Sequence, residues 1–151
     1  MKLLPVELDD IQALAVIAWR AKGHWGYPKE WMENWRIVLS PDTSYIKENV
    51  VLKAEKKGEI VGWGALHFDP EQERWEIDHL WVLPEAMGQG VGKRLYQAIC
   101  KRAMQIGVQK LYILSDPHAR SFYEKMGAEY LAAVPSTPVG RTLPLMQVEF
   151  G

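Results

Sequence analysis

The chain has 151 residues, a formal net charge of −1, 48% apolar residues and 25% charged residues. That describes an ordinary globule, one domain by size, and the near-neutral balance argues against wholesale binding of nucleic acid. The single cysteine, Cys100, excludes a disulfide framework within the chain and suits a reducing, cytoplasmic setting.

Taken in order, Lys2 to Val6 reads as a short opening strand. A helix follows, with Asp9 or Asp10 as its N-cap and Ile11, Leu14, Ala15, Ala18 and Trp19 on one face. Its apolar run, Ala13 to Trp19, is too short to span a bilayer, and the N-terminus lacks the pattern of a secretory leader, so no membrane role is expected. Lys22-Gly23 ends the helix. Gly23 to Tyr27, GHWGY, then packs two aromatics and a histidine into a turn. A second helix is expected from Pro28 to about Leu39, and a short third turn at Pro41 to Lys47 capped by Ser40. Trp19, Trp31 and Trp35 are expected to fill the core beneath these helices. Trp25 and Tyr27, with His24, are candidates for the wall of an acceptor pocket, because rigid aromatics shape a pocket at low entropy cost.

Val50 to Lys56 and Glu59 to Phe68 read as strands joined by a hairpin at Lys57-Gly58. A third strand, Arg74 to Val82, runs back to complete an antiparallel meander and ends at Leu83-Pro84. A glycine turn, Gly88-Gln89-Gly90-Val91-Gly92, opens a long helix with apolar residues at Val91, Leu95, Ala98, Ile99, Ala103 and Ile106, stopped by Gly107. Cys100 lies within it as a small buried hydrophobe. Lys110 to Ser115 is a strand, expected as the parallel neighbour of Arg74 to Val82 by a right-handed crossover. Asp116-Pro117 caps a helix running to Met126, Glu129 to Val134 is a strand, Pro135 to Thr142 a loop, and Pro144 to Phe150 a last strand.

A strand, a glycine turn and a helix N-terminus form a site for an anion. Glycines let backbone N–H groups approach a phosphate, and the first N–H groups of the helix are unpaired. From Ala86 to Ser115 the chain has no acid, against Lys93, Arg94, Lys101, Arg102 and Lys110. The alternative is a glycine turn beside a solvated basic face. Two phosphate motifs fail. A Walker loop would need Gly at Met87 and Ser or Thr at Arg94, and the dinucleotide fingerprint would need Gly at Lys93.

The turn resembles the cofactor motif of the GCN5-related N-acetyltransferase (GNAT) family, Q/R-x-x-G-x-G/A, over Met87, Gly88, Gln89, Gly90, Val91 and Gly92, with Met87 where Gln or Arg is usual. Leu80-Trp81-Val82-Leu83-Pro84 is similar to the strand end that precedes it. DPHARSFYEKMG, from Asp116 to Gly127, resembles a second family motif through Ala119, Phe122, Tyr123, Glu124, Lys125 and Gly127. Asp116 stands where Asn is commoner, and Ala128 replaces Phe. The resemblance covers about residues 50 to 134. It implies a mixed α/β fold, with a mostly antiparallel central sheet of six or seven strands and about four helices. It also implies acetyl-CoA held by Leu80, Trp81, Val82, Met87 to Lys93, Asp116, Ala119 and Tyr123, and direct transfer of the acetyl group to an amine.

Under that resemblance Tyr123 is the general acid beside the thioester sulfur, and the backbone N–H of Val82 is the donor to the oxyanion. For the base Glu76 comes first and Asp78 second, with a water relay as the alternative. By strand alternation Glu76 and Asp78 share a face and His79 takes the other. His118 reads as a surface residue. No histidine pair has metal-ligand spacing with a cysteine or carboxylate, so no metal is expected. The acceptor is expected to be a small-molecule or peptide amine, drawn by aromatics and carboxylates. The C-terminal strand could add a homodimer contact. The rival reading is a non-catalytic acyl-CoA-binding module.

Overall fold

The computed structural model describes residues 1–151. Seven strands form one sheet: β1 (Lys2–Pro5), β2 (Val50–Lys56), β3 (Glu59–Asp69), β4 (Arg74–Val82), β5 (Lys110–Leu114), β6 (Glu129–Pro135) and β7 (Thr142–Glu149). Their order across the sheet is β1-β2-β3-β4-β5-β7-β6. Every pairing is antiparallel except β4 with β5. The meander and the parallel pair match the expectation from the pattern. The insertion of β7 between β5 and β6 does not follow from chain order.

Five α-helices cover the sheet, against the four or so expected: α1 (Ile11–Gly23), α2 (Lys29–Trp35), α3 (Thr43–Glu48), α4 (Val91–Gln105) and α5 (Arg120–Lys125). Helix α2 ends four residues short of the expected Leu39, and the chain continues in turns. Helix α3 is capped by Asp42, which accepts the Tyr45 N–H at 2.8 Å. Ser40, the expected cap, instead donates its hydroxyl to Arg36 O at 2.8 Å. At the β2–β3 hairpin Lys57 (φ 52°) and Gly58 (φ 80°) are both left-handed, the geometry of a two-residue turn that follows strand twist.

The core divides by sheet face. On one face α4 sets Val91, Leu95, Ile99 and Ala103 against Leu66, Ile77, Leu111 and Ile113. On the other, α1 and α2 bring Leu14, Ile17, Ala18, Met32 and Trp35 against Val51, Trp63 and Ala65. Trp63 is fully buried and donates its indole N–H to Leu14 O at 2.9 Å, which satisfies its one polar atom and ties α1 to β3. Trp35 is buried in this second core, and Trp19 and Trp31 pack against it partly buried.

Helix α4 lies close on β3 because two sheet positions have no side chain. A Cβ at Gly64 would stand 2.7 Å from Ile99 Cδ1, and one at Gly62 would stand 2.8 Å from Trp81 O and 3.0 Å from Val91 Cγ1. This contact seats the N-terminus of α4 at the end of β4. No helix is long and apolar enough to cross a membrane.

Candidate active site

Strands β4 and β5 pair only through Trp75–Leu111, Glu76–Tyr112 and Ile77–Ile113. Beyond Ile77 they part. On the other side of β4 the register with β3 runs from Ile77 opposite Leu66 to His79 opposite Ala65, which leaves Asp78 as an extra, bulged residue. The bulge changes the expected alternation. His79 packs its ring on Trp63, 4.7 Å away, and edge-on to Tyr45 at 5.6 Å. It therefore lies on the same side as Asp78, whose Oδ2 accepts the Tyr45 hydroxyl at 2.6 Å. The expectation that His79 occupies the opposite face is corrected by the one inserted residue.

The gap between the parted strands opens into a cleft of about 400 Å³. Its floor is Leu80, Trp81 and Val82 from β4. One wall is Met87, Gly88, Gly90, Val91, Gly92 and Lys93; the other is Ser115, Asp116, Ala119, Phe122 and Tyr123. Gly88 (φ 77°) and Gly90 (φ 83°) adopt left-handed backbone that a side chain would strain. After Met87, the next N–H with a backbone partner is that of Arg94, bonded to Gly90 O at 3.1 Å. The N–H groups between are free at the positive end of α4, an arrangement suited to a pyrophosphate. The loop thus fits the anion expected from its glycines. The Gln89 side chain turns away, with its Oε1 accepting Lys56 Nζ at 2.5 Å.

Leu83 N–H donates to Val61 O on β3 at 2.9 Å. Alternation along the strand turns the preceding N–H, that of Val82, towards the gap. Tyr123 is buried within the cleft wall, and burial first, then the nearby Asp116 charge, push its phenol pKa upward. It therefore holds its proton at neutral pH.

Of the two candidate carboxylates, Asp78 lines the cleft and Glu76 does not. Glu76 Oε2 instead accepts Arg74 Nε at 2.8 Å, and that guanidinium sits over the Tyr112 ring. Of the aromatic turn, Trp25 alone reaches the cleft, stacked on the His118 ring at 4.7 Å and 5°. His24 packs edge-on against Trp25 outside it. Tyr27 also lies outside, because its hydroxyl is drawn inward to Asp116 Oδ2 at 2.8 Å.

Asp116 is a hub. Besides Tyr27 it accepts Lys22 Nζ at 2.6 Å and the His118 backbone N–H at 2.9 Å, and Arg141 Nη2 stands 3.6 Å away. Burial opposes its ionisation, but the Lys22 ammonium and these donors win and hold the carboxyl at about 2. Its oxygens are thus occupied by the protein itself. Lys22 and Arg141 are also stacked on Trp35, at 4.5 Å and 4.7 Å.

A second pocket, about 470 Å³, opens on the α2–α3 side and is lined by Trp35, Tyr45, Lys22, Arg141 and the turn from Ile37 to Asp42. Asp78, His79, Trp81, Leu114 and Asp116 line both spaces, so the two clefts meet at the bulge in β4. Lys22, Tyr45 and Arg141 reach this junction from separate parts of the chain, and no sequence motif marks them. His118 is exposed, as expected. The motif around Tyr123 marked its neighbourhood but gave no sign of its stacking partner. No three His, Cys, Asp or Glu side chains gather as a metal ion would require.

A model of the Acetyltransferase (GNAT) family matches residues 9–128. The chain belongs to the GNAT family. An uncharacterized N-acetyltransferase of Bacillus subtilis, YhfO, is 35% identical over 89 residues, which are 54% of this chain and 60% of that protein. The chain thus matches under two thirds of that relative's length. Among solved structures, a GCN5-related N-acetyltransferase from Rhodopseudomonas palustris has a TM-score of 0.82 at 23% identity, covering 99% of this chain and 95% of that one. The PaiA N-acetyltransferase from Thermoplasma acidophilum, solved with coenzyme A, has a TM-score of 0.80 at 17% identity, covering 99% and 98%. At those identities the likeness is one of fold.

Proposed function

We propose that the protein, as a single acetyltransferase domain, moves an acetyl group from acetyl-CoA directly to the primary amine of a small molecule or peptide. The observation that carries this reading is the meeting of the two clefts at Asp78 to Trp81. A thioester laid along the first cleft and an amine entering from the second come together there with no protein nucleophile between them. Cys100 is buried in the α4 core and lines neither cleft.

The free N–H groups of Gly88 to Lys93, with the Lys93 charge, hold the pyrophosphate. The Val82 N–H, turned into the gap, meets negative charge as it builds on the carbonyl oxygen; one such donor is worth about 3 kcal/mol in acyl transfer. Asp78 takes a proton from the incoming ammonium, directly or through water, and frees its lone pair. As nitrogen bonds to the carbonyl carbon and the carbon–sulfur bond breaks, Tyr123 gives its proton to the sulfur and regains one from solvent. Trp25 stacked on His118 forms an outer wall of the cofactor cleft.

Calorimetry with acetyl-CoA, CoA and ATP tests the cofactor site. Micromolar binding of acetyl-CoA, weakened by Lys93→Glu and by salt, is expected. Release of CoA thiol in the presence of amines then tests transfer. Absence of acetyl-CoA binding, or binding with no amine ever acetylated, overturns the proposal.

A further inference from the structure

The second pocket carries its charge unevenly. Lys22 and Arg141, with side chains 10% and 9% exposed, share the one carboxylate of Asp116. No other acid is paired with either cation. Two positive charges against one negative leave an excess of one within this cluster. The Arg141 guanidinium is also under-used. Nη2 donates to the Tyr27 hydroxyl at 3.3 Å and stands near Asp116, while Nε and Nη1 have no protein acceptor. Neither of those nitrogens is sealed from solvent, and Arg141 lines the pocket. Its plane is fixed against Trp35 and Tyr27, at 4.7 Å and 5.2 Å, so the fork of donors is held in place before anything binds.

The same pocket also carries an acid that neither cation neutralises. Asp78 presents a carboxylate, held by Tyr45. Trp35, Val38, Leu39 and Leu143 add apolar surface to its lining. A pocket that holds both a carboxylate at the reaction point and a guanidinium with unused donors matches a molecule that carries an amine and an anion. A single excess positive charge matches a single negative one.

Resting on the acetyltransferase reading, we propose that the acceptor is a small amino carboxylate of the amino-acid type. Its carboxylate is bound by Arg141 beside Lys22 and its amine is presented at Asp78. Arg141 is then a residue that decides specificity. The aromatic faces of Trp35 and Tyr27, already covered by Lys22 and Arg141, do not serve to bind a cationic acceptor.

Matched pairs test this on the unaltered protein. Amino acids are compared with their carboxamides in a thiol-release assay, alongside diamines and polyamines. The amine of an amide loses its proton more readily, so intrinsic reactivity favours the amide. The expected result is a kcat/KM for the acid roughly 10- to 100-fold above that of the amide, the range of a charge-assisted hydrogen bond. In Arg141→Gln that ratio should fall towards one, chiefly through KM for the acid, and Arg141→Lys should restore part of it. Equal or better use of amides or polyamines, with acetyl-CoA binding intact, overturns the inference and leaves the transferase standing. So does acetyl-CoA binding without acetylation of any amino acid. Failure of acetyl-CoA to bind is the separate result that removes the transferase reading, and this inference with it.

Discussion

Trp81 donates its indole N–H to His79 Nδ1 at 2.9 Å. Nδ1 is therefore an acceptor, and the neutral ring carries its proton on Nε2. Burial depresses the imidazole pKa, against the pull of Asp78. A buried neutral histidine whose one lone pair is already engaged cannot accept a proton from an ammonium without losing that bond. This leaves Asp78 as the side chain at the meeting of the clefts that is able to take one.

Asp78→Asn is accordingly expected to lower kcat by about 100-fold, within the range for removal of a general base. Glu76→Gln should leave kcat within a few fold and act on stability through Arg74. Steady-state kinetics of the two variants, with denaturation curves, separate the roles. An equal loss of kcat in both would return Glu76 to the chemistry. Because His79 is held neutral, the rate profile should show no imidazole titration near pH 6 to 7.

Tyr123→Phe removes one hydroxyl from a buried ring that packs edge-on to Phe122 at 5.1 Å. The ring contacts survive, so acetyl-CoA affinity should change little. The proton for the leaving sulfur is lost, and kcat should fall by 100-fold or more. Calorimetry and single-turnover thiol release on the same preparation check both halves. Unchanged kcat would reduce Tyr123 to a packing residue.

Asp116 joins α1, the turn after β5 and the β6–β7 loop through Lys22, His118 and Arg141. Asp116→Asn leaves two buried cations without a counter-charge and should destabilise the fold by about 3–5 kcal/mol. The carboxyl sits near 2 in the folded chain against 3.8 for a free one. A depressed pKa contributes stability that is full above the unfolded value and is lost as the pH falls through the folded one. Its share is about 2 kcal/mol. Urea unfolding of the unaltered protein should weaken between pH 5 and 2, and Asp116→Asn should flatten that dependence.

Gly64→Ala would set a methyl 2.7 Å from Ile99 Cδ1 and 3.0 Å from His79 O. Ile99 is fully buried and the carbonyl belongs to β4, so neither can yield freely. A loss of about 1–3 kcal/mol is expected from overpacking. Because α4 is levered off the sheet at its seat, weaker acetyl-CoA binding should accompany it. A variant as stable as the parent would show that the helix can shift without effect.

The chain by itself determined most of the elements and the glycine loop, because both are local. Period-two and period-3.6 patterns marked the strands and α4, and Lys57-Gly58 and Asp116-Pro117 marked turns whose geometry depends on adjacent residues. The alternate glycines from Gly88 to Gly92 need only their own backbone to free N–H groups suited to a phosphate. What the tertiary structure decided lies in contacts between distant residues. One bulged residue, Asp78, moved His79 to the face that alternation denied it, since strand register depends on the partner strand as much as on the strand itself. Tyr27 left the predicted pocket because Asp116, 89 positions along the chain, accepts its hydroxyl. Lys22 and Arg141, in segments that gave no sign of function, meet there because ion pairing and stacking act through space. The glycine loop is written in one continuous stretch; the second pocket is assembled from five, and only folding brings them together.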